Sequence, residues 1–128
     1  MAKITLGQRP KNFKKTVSFP MLDGTTGTIE VSYKYRTRTE FGQFIDGLVE
    51  SAKAKGKQAE AADFSMADLM QKTAGQNAEY ILDVVESWNL DAALSAASAQ
   101  QLADEIPAAA IQIMEDYRLA ITEGRLGN

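Results

Sequence analysis

Residues 16–35 read TVSFPMLDGTTGTIEVSYKY, and their pattern decides the architecture of the chain. Val17, Phe19 and Met21 alternate with Thr16, Ser18 and Pro20, and Ile29, Val31, Tyr33 and Tyr35 alternate with Thr28, Glu30, Ser32 and Lys34. Successive side chains of a strand point to opposite faces, so this period of two gives one apolar and one polar face. Between the two runs, LDGTTG contains Asp23-Gly24, a pair that tolerates the positive φ of a tight turn. The stretch predicts a β-hairpin. Pro20 has no amide hydrogen for a ladder, which places the first strand at a sheet edge. A lone hairpin is marginal, so its apolar face needs a helix of the same chain or another subunit to cover it. AKITL, residues 2–6, has the pattern of a third short strand.

Helices are expected downstream. Thr37-Arg38-Thr39-Glu40 has capping-box spacing. Phe41, Phe44, Ile45, Leu48 and Val49 then form one helical stripe, although Gly42 and Gly47 weaken that helix. Adjacency in sequence predicts that Phe19, Ile29, Val31 and Tyr33 pack on this first helix through Phe41, Phe44 and Ile45. Phe41 and Phe44 are also candidates for a partner surface. Residues 51–62, SAKAKGKQAEAA, carry no apolar stripe and read as a flexible connector or an exposed helical extension. Ser65 and Asp68 have cap spacing, and Met66 and Met70, one turn apart, suit an adaptable binding surface. Ile81, Val84, Val85 and Trp88 share a helical stripe, with Gly75 and Asn77 separating it from the Met-bearing turn.

Beyond the single tryptophan, Asp91–Ala97 predicts a helical turn, and Ser98 with Gln101 the cap of a short helix. Pro107 suits the first turn of a last helix with the stripe Ala110, Met114, Tyr117 and Ile121, which Gly124 closes. Trp88 is expected to be buried near Tyr117 or Ile121, with Pro107 fixing the same corner and Val31 and Tyr33 in the core. The fold class is α+β: an N-terminal hairpin, with up to three short strands, then four or five helices in one domain spanning residues 1–128.

The 128 residues include no cysteine and no histidine. That removes thiolate chemistry, cysteine-bound metals and the commonest general base. Acidic pairs such as Asp104-Glu105 and Glu115-Asp116, with Asp83 and Glu86, read as solvated helix faces. LDGTTGT lacks the Lys-Ser/Thr and helix start of a phosphate loop. We expect no catalytic residues, no metal, no cofactor and no enzymatic activity. Charge divides along the chain: the basic hairpin region, residues 1–38, holds eight Lys or Arg against two acids, and the acidic helical body, residues 39–128, holds six against fifteen. An edge strand guarded by lysines accounts for this first. Docking of one copy's head, including Lys14 and Lys15, on another copy's body comes second, and nucleic acid third. Aromatic residues share the face that must be buried, which argues against base stacking. The N-terminus lacks the apolar core of a secretory signal and no run is long enough to span a bilayer, so a cytosolic protein is expected.

Taken together, these residues resemble a known family. Ile81 and Val84/Val85 precede Trp88 and NLD. Leu94, Leu102, Pro107-Ala108, Ile111, Tyr117, Leu119, Arg125 and Asn128 follow, and upstream lie KITL and a hairpin ending YKYRTRTEF. From Ile4 to Asn128 this pattern resembles the tail assembly chaperones of long-tailed bacteriophages. The resemblance implies a protein of the host bacterial cytoplasm, absent from the mature virion, that binds the long apolar tape measure protein and keeps it soluble before the tail tube polymerises. It also implies self-association, and a longer form, made by ribosomal frameshifting, that recruits tail tube protein; this chain corresponds to the shorter product. Two other readings remain at this point: a minor virion structural protein, such as a tube or connector subunit, and a nucleic-acid-binding module using the basic hairpin.

Overall fold

Strands β1 (Asn12–Pro20) and β2 (Thr26–Lys34) pair antiparallel without interruption, from Asn12 opposite Lys34 to Pro20 opposite Thr26. The turn closes with Met21 N–H donating to the Thr25 carbonyl at 2.8 Å, and Gly24 takes a φ of +88°. Phe19 lies across its partner Gly27, where an added Cβ would stand 2.6 Å from the ring. Val17, Phe19, Ile29, Val31 and Tyr33 are buried on one face, as the alternation predicts. The computed structural model describes residues 6–7, 9–58 and 65–124, with side chains described outside 52–58.

A third strand, β3 (Val85–Trp88), pairs antiparallel with β2: Trp88 faces Val31, Ser87 faces Ser32, and a bulge puts Val85 opposite Tyr33. The sheet order is β1-β2-β3, which leaves the Pro20 strand at an edge. Residues 2–5 of the expected N-terminal strand lie outside the described residues, and Leu6 sits in a turn. The helix expected to continue to Trp88 therefore stops at Val84. Val85 is extended (φ −98°, ψ 128°) while its N–H still bonds the Ile81 carbonyl. Asn89 prolongs the ladder, its N–H donating to the Glu30 carbonyl at 3.1 Å and its side-chain oxygen accepting from the Glu30 amide at 2.9 Å.

Among the described residues four helices complete the fold: α1 (Arg38–Gln58), α2 (Met66–Val84), α3 (Ala96–Glu105) and α4 (Pro107–Glu123). The capping box at α1 is formed, with Glu40 N–H donating to Thr37 Oγ1 at 3.2 Å and Thr37 N–H donating to the Glu40 carboxylate at 2.8 Å. Of residues 51–62, Ser51–Gln58 belong to α1 as a helical extension, and 59–62 lie outside the described residues. Ser65 caps α2, which runs unbroken through Gly75 and Asn77. At α3 the reciprocal box joins Ser95 to Ser98, not Ser98 to Gln101, and residues 91–95 form bends rather than a helical turn. There the Ser98 hydroxyl donates to the Ala93 carbonyl at 2.7 Å, which favours a turn over helix. Pro107 begins α4 and a left-handed Gly124 ends it.

The apolar face of the sheet is covered by α4 rather than by α1. Ala109 and Ala110 let α4 approach closely; they and Ile113 and Tyr117 are fully buried, and the Tyr33 hydroxyl donates to the Ile113 carbonyl at 2.7 Å. Small buried residues likewise serve the α2–α3 contact: Ala74 and Ala78 on one helix, Ala99 and Ala103 on the other. The aromatic centre is Tyr117, with the rings of Phe13, Tyr33 and Phe41 at 6.1, 5.3 and 5.8 Å. Trp88 does not join this cluster. It is half-buried at the other sheet edge, its indole N–H donating to the Ala92 carbonyl at 2.7 Å, and Pro107 is exposed. Trp88→Ala should therefore cost about 1–3 kcal/mol, less than the ~3–5 kcal/mol of a fully buried ring. Thermal melting checks this; a cost at the upper figure would mean a deeper burial.

Acid should loosen the start of α1. The Thr37 amide, and then Arg9, hold the Glu40 carboxyl below its ordinary value of 4.5. A depressed carboxylate contributes stability above its unfolded-state pKa and loses it as pH falls through the lower folded-state value. Stability of Glu40→Gln should accordingly fall less than that of the native chain as pH drops below about 4.5. Parallel acid-unfolding curves would contradict this role.

Candidate partner-binding groove

Helices α1 and α2, of 21 and 19 residues, are the two longest among the described residues, and few contacts join those residues of the two. Their meeting point is Phe44 against Tyr80, edge to face at 5.1 Å. Arg36 pins it: the guanidinium lies 4.4 Å over the Phe44 ring and donates to the Tyr117 hydroxyl at 3.0 Å. That hydroxyl in turn donates to the Lys34 carbonyl at 3.0 Å. Burial pushes the hydroxyls of Tyr33, Tyr80 and Tyr117 up, so all three stay neutral.

Past this pin a groove of about 230 Å³ opens, walled by Ile45, Leu48 and Val49 of α1 and Gln76, Asn77 and Tyr80 of α2, with Met114 of α4 alongside. The apolar surface continues along α2. Met66 and Met70 are 57% and 53% exposed, and Leu69 and Val49 are exposed as well. With 3.6 residues per turn, Met66, Leu69, Met70, Thr73, Asn77 and Tyr80 lie on one stripe, beside the buried stripe of Ala74, Ala78 and Ile81. The methionines thus continue the face that carries the groove wall, and Met66, Leu69, Met70 and Val49 are its exposed part, while Tyr80 packs on Phe44.

Other expected site residues fall differently. Phe41 is buried against Tyr117 and Phe44 is held between Arg36 and Tyr80, so neither offers a free partner surface. Both help to attach α1, Phe41 in its first turn on the Tyr117 ring and Phe44 one turn later on Tyr80. Lys14 and Lys15 do not form a patch, since neighbours on a strand face opposite ways. Lys14 is exposed on the outer face, and Lys15 is half-buried on the side of Phe13 and Val17. Arg9 pairs with Glu40 and lies 5.3 Å over the Tyr35 ring, so part of the basic head is engaged internally.

Two further clefts differ in character. One of about 400 Å³ on the outer sheet face is polar, lined by Lys14, Thr16, Glu30, Ser32 and Ser87 among others. Half-buried Trp88 lines it as well. The second, of about 370 Å³, lies at the hairpin tip between Met21 and Leu22 and the α3–α4 elbow at Ile106 and Pro107. Leu22 there is fully exposed, a feature that a turn sequence does not announce. Among the described residues, no three carboxylates gather as a cation site and no helix is long and apolar enough to cross a membrane.

The sequence profile of phage tail assembly chaperones matches residues 1–128, the whole chain. The chain belongs to this family. No curated protein and no solved structure matches it. Tyr80 and Leu69 belong to the groove face although the sequence pattern did not single them out, and Met114, read as part of the last helix's stripe, lines the groove. Leu69 carried a readable signal in its spacing, three residues after Met66.

Proposed function

We propose that this chain binds the tape measure protein during tail assembly and keeps it soluble, without a chemical step. What carries the reading is the open apolar groove between α1 and α2, in a chain that belongs to the tail assembly chaperones. Apolar surface removed from water contributes about 25 cal/mol per Å², so a small face used many times along a long client suppresses aggregation while each contact stays reversible. Methionines suit this work, since a flexible thioether adapts to successive client segments. The chain acts in the host bacterial cytoplasm and leaves before the virion is complete, and a longer frameshifted form would bring tail tube protein to the same client.

Co-expression tests this directly. The tape measure protein should move from the insoluble to the soluble fraction when this chain is present, and Met70→Asp, an exposed site that the fold does not need, should abolish the effect. A client that stays insoluble with the native chain would overturn the proposal.

Copies also self-associate in this reading, the basic head of one facing the acidic body of the next. Exposed charges are screened beyond about 8 Å at physiological ionic strength. Sedimentation should show assemblies that shrink as salt rises, and Lys14→Glu should shrink them further. Assemblies indifferent to salt would exclude the electrostatic contact.

A further inference from the structure

We infer that α1 is built in two parts: a fixed start, residues 38–45, and a continuation from Gly47 that opens and closes by itself while the sheet and the other helices stay folded. The start is held by its cap and by apolar contacts. Its capping box joins Thr37 to Glu40, Phe41 is buried on the Tyr117 ring, and Phe44 and Ile45 pack against the core. Beyond Ile45 the side chains change character, although the helix continues to Gln58. Asp46, Gly47, Val49, Glu50 and Ser51 are exposed and Leu48 is half-buried, so the described side chains of this part bury little apolar area. A segment without a buried stripe depends on helix propensity, and propensity alone leaves a short helix marginal in water.

Propensity is poor here as well. Gly42 and Gly47 are both exposed, and a Cβ added to either meets no described atom within 4 Å. Neither has a positive φ. The hairpin glycines differ: Gly24 takes a φ of +88°, and at Gly27 a Cβ would strike the Phe19 ring. Gly42 and Gly47 therefore serve no close approach and no special backbone. Their effect is to weaken the helix, each by about fivefold in its equilibrium relative to alanine. Where α2 meets α3 the small residues are buried alanines instead, Ala74 and Ala78 against Ala99 and Ala103. The groove thus has one firm wall, residues 76–80 of α2 with Ala78 in the core, and one wall, Leu48 and Val49, that yields. This conformational property goes beyond the proposed client binding and does not rest on it.

Hydrogen exchange on the free full chain tests this. Amides of residues 48–51 should be protected at least about a hundredfold less than those of α4, which open only with the whole fold. Low urea should leave their exchange unchanged, because a local opening exposes little new surface. Gly47→Ala should slow them about fivefold. Gly42→Ala, in the fixed start, should leave them as they are and act on the whole fold instead, raising the melting temperature by about 3–6 °C. Amides of 48–51 protected as well as those of α4 would overturn the inference. So would exchange there that urea speeds in step with α4, or a Gly47→Ala variant that slows it no more than Gly42→Ala does.

Discussion

Tyr117→Ala should cost at least about 3–5 kcal/mol, the range for emptying a fully buried ring. Tyr117 is the residue on which sheet, α1 and α4 converge. It is fully buried, with three aromatic rings within 6.1 Å. The substitution removes more than volume, because the hydroxyl accepts from Arg36 and donates to the Lys34 carbonyl. Without it, Arg36 loses its anchor at the α1–α2 pin and a backbone acceptor loses its donor, which adds a desolvation cost of about 1–3 kcal/mol. Domains of this size have total stabilities of about 5–15 kcal/mol, so the variant should be barely folded at room temperature. Tyr117→Phe separates the two contributions: it keeps the ring and should cost only about 1 kcal/mol. Urea unfolding of both variants is the measurement. An alanine variant within about 1 kcal/mol of the native chain would mean that α1 is attached by some other route.

Val31→Asp should be nearly as severe, at about 3 kcal/mol or more. Val31 sits in the middle of the central strand, 1% exposed, with Lys15 and Trp88 as its cross-strand neighbours. An aspartate there would face the packed side of α4. Lys15 is close enough to offset part of the charge, but its own half-exposed position limits the gain. Removing it as well, in Lys15→Ala/Val31→Asp, should therefore destabilise the chain further than Val31→Asp alone. Thermal melting orders the three proteins, and a single variant as stable as the native chain would contradict the placement of β2 at the centre of the sheet.

What the sequence shows and what it hides follow from the range of each interaction. The hairpin is legible because apolar and polar residues alternate from Thr16 to Pro20 and from Thr28 to Lys34 and the two runs pair with each other, so every signal is local. The same holds for the Thr37–Glu40 box, the Ser65 cap, Pro107 at the start of α4 and Gly124 at its end. Strand β3 escapes because four residues are too few to show a period. Ile81, Val84, Val85 and Trp88 also fit helical spacing, and pairing with a strand more than fifty residues away decides between the two. The choice of α4 over α1 as cover for the sheet is hidden for a related reason. Alanines carry little apolar signal, yet they permit the closest approach, whereas the phenylalanines of α1 advertise a core they only partly join.

The groove was half-visible. An apolar stripe on a helix looks the same whether its own chain buries it or leaves it open, and the stripe of α1 is both: Phe41 is 8% exposed and Val49 45%. Met66 and Met70 stood out by residue type, and the structure leaves them uncovered. Lys14-Lys15 misled in the opposite direction, since a doublet in sequence divides across a strand.

Hydrogen exchange on this chain, alone and in complex with a tape measure fragment, tests most directly whether the groove between α1 and α2 holds the client. A client seated there should slow exchange along residues 44–51 and 66–80 and leave the β1–β2 ladder unchanged. Protection confined to the hairpin, with both helices exchanging as in the free chain, would contradict it.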